Sequence, residues 1–371
     1  MATQLRPELR SLYDTSTHFF DNVQRGPRPL AADELAYIGR LKDDISRLEE
    51  QGLSLRRELL PGVIVDSPLG IGAGIAYGSK FLDLYRQLGY GLLTQKTVRD
   101  GFWKGNPTPH IVYLDGGNYE DGFTSTGEPT RLWVSNSFGI HCFGIGNWEP
   151  DIGLFVAAHP DTPLIVSGVV TLGTDKNEII RQYAEIGRRV KRVGAVVYEI
   201  NVSCPNEMEG HSGEIQDDAG LVREIVQETK QQSGLPVLVK IGYRPPEVLA
   251  KFVRHVGDAA DGIVAINTMP AIVRNHDGSY AYGDRRPRAG VSGDPLKPYA
   301  EEALGTLVEL RERFGDNYRI ISVGGVTEPV DVKKRLDMHA DAVESAAAAM
   351  SYPPFGLEAK KYLLEEKLRE N

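Results

Sequence analysis

Cysteine is scarce in this chain of 371 residues, where Cys142 and Cys204 are the whole complement. Two thiols supply neither a disulfide framework nor the four-cysteine ligand set of an iron–sulfur cluster, so the expected setting is reducing and cytoplasmic. Positive charge is also in deficit: 42 Lys and Arg stand against 51 Asp and Glu, a formal net charge of −9. That sign is wrong for a surface that neutralises a phosphate backbone, and it excludes nucleic acid as the expected partner. Long apolar runs are missing as well. Nothing approaches the ~20 apolar residues of a membrane span, and the opening MATQLRPELRSLYD lacks the apolar core of a signal peptide. Finally, no GxGxxG opens the first strand-and-helix unit, which removes the main mark of a doubly wound dinucleotide fold.

What is present is an ordinary globular balance, 41% hydrophobic and 25% charged, with enough material for a large core. Residues 1–60 read as a polar, helical N-terminal extension. Within it Leu5 to Phe20 is expected to be a helix packed on the main body, and ADELAYIGRLKDDISRLEEQG, opened by Asp33 and Glu34, an amphipathic helix stopping at Gly52. Pro61-Gly62 marks a change of texture. After it come eight short apolar runs: PLGIGAG, YGLLTQK, PLIVSGVV, AVVYEINVS, PVLVKIG, DGIVAINT, RIISVGG and DAVES. Between them lie stretches of helical period such as KNEIIRQYAEIGRRVKRVG and KPYAEEALGTLVELRERFG. Strands alternating with helices pair in parallel through right-handed crossovers, and eight units close a barrel. The expected architecture is therefore α/β: a (β/α)₈ TIM barrel over 61–371, with the helical extension over 1–60 and a long loop insertion after strand 2. That insertion runs from Thr97 to Asp161 and holds the β-like runs HIVYLDGG and RLWVSN. It leaves the barrel on the C-terminal face, where barrel active sites are built.

The most informative segment is Glu199-Ile200-Asn201-Val202-Ser203-Cys204-Pro205-Asn206, at the end of the fourth run. Two asparagines offer amide donors and acceptors to a planar heterocycle, and a thiol between them stands where a base could take a proton from carbon. A lone cysteine is more often an inert small hydrophobe, and Cys142 is read that way; the strand-end position of Cys204 favours chemistry. Gly324-Gly325 after RIISV fits a phosphate site made of backbone N–H groups, though a Gly-Gly turn alone is weak. Lys240, ending PVLVK, would place one charge in the barrel mouth, and Lys96, Thr97, Asn136, Asn267 and Thr268 add polar groups at other run ends.

On TQKTVRDGFWKGNPTP, VSNSFG, NVSCPN, LVKIGY, AINTMPA, RAGVSGDPLKP and ISVGG, from Pro61 to Glu366, the chain resembles the dihydroorotate dehydrogenases. The likeness is greater to the soluble class with a cysteine base than to the membrane-associated class with serine. It implies an FMN-dependent oxidoreductase that oxidises dihydroorotate to orotate in pyrimidine biosynthesis. Cys204 would take the C5 proton while the flavin N5 accepts the C6 hydride. Lys96, Asn136, Asn201, Asn206, Asn267 and Thr268 would hold the substrate, with the backbone of Phe138, Gly139 and Ile140. For FMN the resemblance implies Ala73, Gly74, Lys96, Thr97, Asn201, Lys240, Thr268, Ser292, Gly293, Gly324, Gly325, Ala346 and Ala347. It implies no metal, a small-molecule substrate, and a possible homodimer.

The chain departs from the family at the eighth run, where Gln-x-Gly-Thr-Ala is matched by Glu344-Ser345-Ala346-Ala347-Ala348, adding a Cβ and removing a hydroxyl beside the expected phosphate. It departs again after NVSCPN, in EMEGHSGEIQDD. Two alternatives therefore stand beside the first: a flavin oxidoreductase for another dihydropyrimidine or cyclic amide, and a degenerate barrel acting as a non-catalytic binding protein.

Overall fold

The computed structural model describes residues 7–171, 175–203 and 215–370. All eight apolar runs become strands: β1 (Leu69–Ile71), β2 (Leu93–Val98), β3 (Leu164–Gly168), β4 (Val197–Asn201), β5 (Val237–Ile241), β6 (Gly262–Ala265), β7 (Arg319–Val323) and β8 (Ala342–Ser345). They pair in parallel in sequence order, β8 returning to β1, and a parallel bridge from Gly70 to Leu92 brings β1 back beside β2. The result is the (β/α)₈ barrel. Its strands are continuous rather than alternating in hydrophobicity because both faces are covered; every residue of β3, β4 and β5 is buried.

The intervening helices are α1 (Ser79–Gln87), α2 (Ile145–Ala158), α3 (Lys176–Arg192), α4 (Ala219–Ser233), α5 (Pro246–Val256), α6 (Lys297–Phe314), α7 (Pro329–Asp337) and α8 (Phe355–Glu370). Local signals start and stop them. The carboxylates of Asp175 and Asp218 accept the first free N–H groups of α3 and α4, and glycines in the left-handed region, Gly234 and Gly315, end α4 and α6.

A hairpin, Arg57–Leu60 with Val63–Val65, straddles residue 60. Its Leu59, Leu60, Val63 and Val65 pack on Leu92, Ile165, Val197, Leu238 and Ala342 at the starts of the barrel strands, which closes the N-terminal mouth. The opposite mouth is left for the site. In the extension, Ala32–Glu50 is the expected amphipathic helix and buries Glu34, whose carboxylate takes a bidentate contact from Arg28 at 2.7 and 2.8 Å.

Two expectations need correction. The described part of Leu5 to Phe20 is not a helix up to residue 18; the helix there is Phe19–Arg25. Asp14 turns the chain by accepting from the Ser16 N–H and hydroxyl, and the Asn22 side chain holds both the N–H and the carbonyl of Asp14, a local bonding that competes with helix. The insertion after β2 is not a loop. Its strands Ile111–Asn118, Gly122–Thr126 and Trp133–Asn136 join Met269–Arg274 and Arg288–Gly293, from the connection after β6, in a small closed five-stranded barrel. Leu114, Phe123, Ala271, Val273, Ala289 and Val291 fill its core.

Candidate active site

The C-terminal strand ends and one wall of the five-stranded barrel line a common pocket. Its lining includes Ala73 and Gly74 after β1, Lys96 and Thr97 on β2, Asn201 on β4, Lys240 on β5, and Asn267 and Thr268 after β6. The second barrel adds Asn136, Phe138, Gly139, Ile140, Ser292 and Gly293, while Gly324, Gly325, Ala346 and Ala347 come from the ends of β7 and β8. Residues separated by more than 270 positions in sequence thus face one space, because parallel strands all deliver their carboxyl ends to the same rim. Cys204 and Asn206 lie outside the described residues. Ser203, one peptide unit from Cys204, is held at the pocket: its N–H donates to Asn201 Oδ1 (3.2 Å), its hydroxyl to the Lys240 carbonyl (3.2 Å), and its carbonyl accepts from Asn267 Nδ2 (3.1 Å).

The polar groups are braced rather than loose. Asn201 Nδ2 donates to Thr97 Oγ1 (3.1 Å), which pairs in turn with Ser167 Oγ (3.0 Å). Asn267 Oδ1 accepts the Thr268 N–H at 2.8 Å. Lys96 is 6% exposed, its Nζ 3.5 Å from the Gly74 carbonyl and 4.1 Å from the Phe138 ring centroid, with Tyr77 and Phe19 also in cation–π range. An ammonium held in so dry a place favours an anionic or electron-rich ligand beside it.

Beneath the pocket, inside the barrel, lie two wholly buried carboxyls, Glu199 of β4 and Glu344 of β8. Glu344 Oε1 accepts from Thr94 Oγ1 at 2.9 Å, while its Oε2 has no hydrogen-bond partner among the described residues, and Glu199 lies beside Ser167. Burial pushes both carboxyls above the ordinary glutamate range, Glu199 raises Glu344 further, and the Lys240 ammonium draws each back down. Lys240 is therefore the cation that both carboxyls feel, and it faces the pocket as well.

The turn after β7 carries glycine for a physical reason. Gly325 has φ +71° and an added Cβ would stand 2.3 Å from Lys297 Cα, so no side chain fits. Arg335, on the buried face of α7 three residues after Val332, secures this turn from behind: its guanidinium donates to Ser322 Oγ (2.8 Å) and to the Gly324 carbonyl (3.2 Å). Sequence reasoning missed Arg335, although an arginine at helical spacing from a buried valine was the available signal. It also missed Tyr77, Leu296 and Met350, apolar lining residues that carry no mark in sequence. Cys142 is buried, its sulfur accepting the N–H groups of Arg99 and Gly144 at 3.3 Å, and burial pushes its thiol up, as befits an inert residue. No helix among the described residues is long and apolar enough to cross a membrane.

The family model described as dihydroorotate dehydrogenase matches residues 57–354. A dihydroorotate dehydrogenase of Dictyostelium discoideum is 25% identical over 369 residues, covering 94% of this chain and 96% of that protein. A dihydroorotate dehydrogenase (quinone) of Halorhodospira halophila is 27% identical over 303 residues, covering 76% of this chain and 78% of its own length. Among solved structures, that of the Eimeria tenella enzyme in complex with ferulenol superposes with a TM-score of 0.67 at 18% identity, covering 94% of this chain and 95% of that one, a likeness of fold.

Proposed function

The chain belongs to the dihydroorotate dehydrogenase family, and from that premise we propose that it is an FMN-dependent oxidoreductase converting dihydroorotate to orotate. The observation that carries this reading is the convergence of Lys96, Asn201, Lys240 and Asn267 in one largely apolar pocket at the C-terminal mouth of the barrel.

The residues present fit FMN. A Cβ built on Gly74 meets nothing within 4 Å, so the glycine leaves open pocket where a flat ring system needs close backbone approach. Gly324 and Gly325 supply a turn free of side chains for a phosphate. At β8 the backbone is one any residue adopts, Ala346 having φ −131°; Ala346 and Ala347 line the pocket and Ala348 is buried behind them. Ala73, Gly74, Lys96, Thr97, Asn201, Lys240, Thr268, Ser292, Gly293, Gly324, Gly325, Ala346 and Ala347 would hold the cofactor, which when bound supplies the hydride acceptor.

In this reading the substrate lies against Lys96, Asn136, Asn201, Asn267 and Thr268 and the Phe138–Ile140 backbone, with Asn206 completing the set. The amides fix the planar ring through paired donors and acceptors, and Lys96 offsets the carboxylate charge. Cys204 takes the C5 proton. Ser203, the residue before it in sequence, is anchored by Asn201, Lys240 and Asn267. The apolar wall of Tyr77, Ile111, Val134 and Phe138 keeps water from the reacting carbons.

The test is an anaerobic absorbance titration. Loss of a flavin band near ~450 nm on adding dihydroorotate is the expected outcome for a flavin taking hydride. A yellow protein that bleaches only with another dihydropyrimidine moves the substrate assignment, and a colourless protein that cannot be reconstituted with FMN refutes the proposal.

A further inference from the structure

Three of the eight histidines, His18, His110 and His141, meet where the N-terminal segment lies against the insertion after β2. One ring nitrogen of each lies within 4.8 Å of the others. The ring centroids are 4.5 to 5.0 Å apart, and each pair of rings is steeply inclined, at 72° to 84°, so that edges rather than faces meet.

The hydrogen bonds fix the tautomers of two of them. His110 Nε2 and His141 Nε2 each stand 3.0 Å from the Asn106 carbonyl oxygen, and a carbonyl only accepts, so both rings carry their hydrogen on Nε2. The Nδ1 of His110 accepts from the Tyr13 hydroxyl at 3.1 Å, a contact the hydroxyl must release for that ring to ligate, and the Nδ1 of His18 accepts the Phe20 N–H at 3.4 Å, which leaves its Nε2 as the donor. The Nδ1 of His141, on a side chain 1% exposed, has no partner among the described residues. A buried imidazole lone pair with nothing to accept is costly, and a ring whose other nitrogen is anchored to a backbone carbonyl is the arrangement that metal-ligating histidines show.

We propose that His18, His110 and His141 form a binding site for one imidazole-preferring transition-metal ion, of the Zn²⁺ type, clamping the N-terminal segment to the insertion. The groups around the cluster choose this class. The donors that meet there are three imidazole nitrogens. Such surroundings disfavour a hard ion held by carboxylate charge and favour one bound through nitrogen donors. A tetrahedral ion with bonds of about 2.0–2.1 Å needs nitrogens roughly 3.4 Å apart, so the rings turn inward by about 1 Å on binding. Water would complete the coordination. Joining residue 18 to residues 110 and 141 closes a long loop, so binding stabilises the fold by mass action.

The experiment is calorimetric titration of the chelator-stripped full-length protein with ZnCl₂, repeated as a thermal melt and with Co²⁺ for its visible d–d bands. The expected result is saturable binding of one ion per chain, a raised Tm, and a tetrahedral Co²⁺ spectrum, all lost in His141→Ala and in His18→Gln. His18 is only half-buried, so His18→Gln decides the matter if His141→Ala does not fold. Absence of saturable binding, or binding of equal stoichiometry and affinity in the variants, overturns the site. None of these readouts depends on the catalytic reading above.

Discussion

At the scale of single residues, two side chains carry most of the chemical argument. Cys204 stands out in sequence as a thiol between two asparagines after the fourth apolar run, and it lies outside the described residues. If it is the base, Cys204→Ala retains flavin but slows flavin reduction by about 10² or more, the usual worth of a general base, measured by stopped-flow under anaerobic conditions. A rate within a factor of a few of the parent would remove it from that role. Glu344 was legible only as a departure from the family's glutamine; its consequence needed the barrel interior, where it sits with Glu199 and Lys240. The folded state raises its affinity for a proton. Its contribution to stability is therefore full below the ordinary glutamate range and is lost as pH rises through the raised value. Glu344→Gln keeps the shape and removes the charge, so its Tm should fall less than the parent's between about pH 5 and about pH 9. Parallel melting profiles across that range would show that Lys240 already neutralises the pair.

At the scale of elements, the barrel was readable and the second barrel was not, for one physical reason. Each βα unit announces itself by local period: a short apolar run, then an amphipathic stretch capped by aspartate or ended by glycine. The five-stranded barrel is held by pairs such as Asn136 with Gly290 and Val273 with Phe123, whose partners are about 150 residues apart in sequence. Period 2 in HIVYLDGG shows a strand but not its neighbour. Arg335 illustrates a related limit, since its place on the buried face of α7 matters only once the β7 turn is seen to rest on it. Arg335→Met would leave Ser322 Oγ and the Gly324 carbonyl without their buried donor, a cost of about 1–3 kcal/mol for each unsatisfied group. The expected outcome is a lower Tm together with faster FMN loss on dialysis. A lower Tm with an unchanged flavin-to-protein ratio would mean that the arginine supports the fold without shaping the turn.

At the scale of the whole molecule, the pocket is a seam between two barrels, and its quality depends on how firmly two distant insertions are joined. Arg286, in the connection after β6, is the joint. It is 6% exposed and its guanidinium donates across to the insertion after β2, to the carbonyls of Thr108, Pro109 and Ser137 and to Ser137 Oγ, at 3.2–3.4 Å. Ser137 lies between Asn136 and Phe138, both lining residues, so slack at Arg286 is transmitted to the wall against which the substrate is expected to rest. The bonds are long for charged donors, which sets the expected loss in Arg286→Met near the low end of the ~1.5–3 kcal/mol typical of hydrogen bonds to charged groups. The predicted signature is a raised KM for dihydroorotate with kcat nearly kept, because the wall orients substrate but touches no reacting atom. Steady-state kinetics beside a thermal melt separate the cases. A drop in Tm with unchanged KM would make Arg286 a staple of the small barrel alone, and a fall in kcat as large as the rise in KM would place the wall in the chemical step itself.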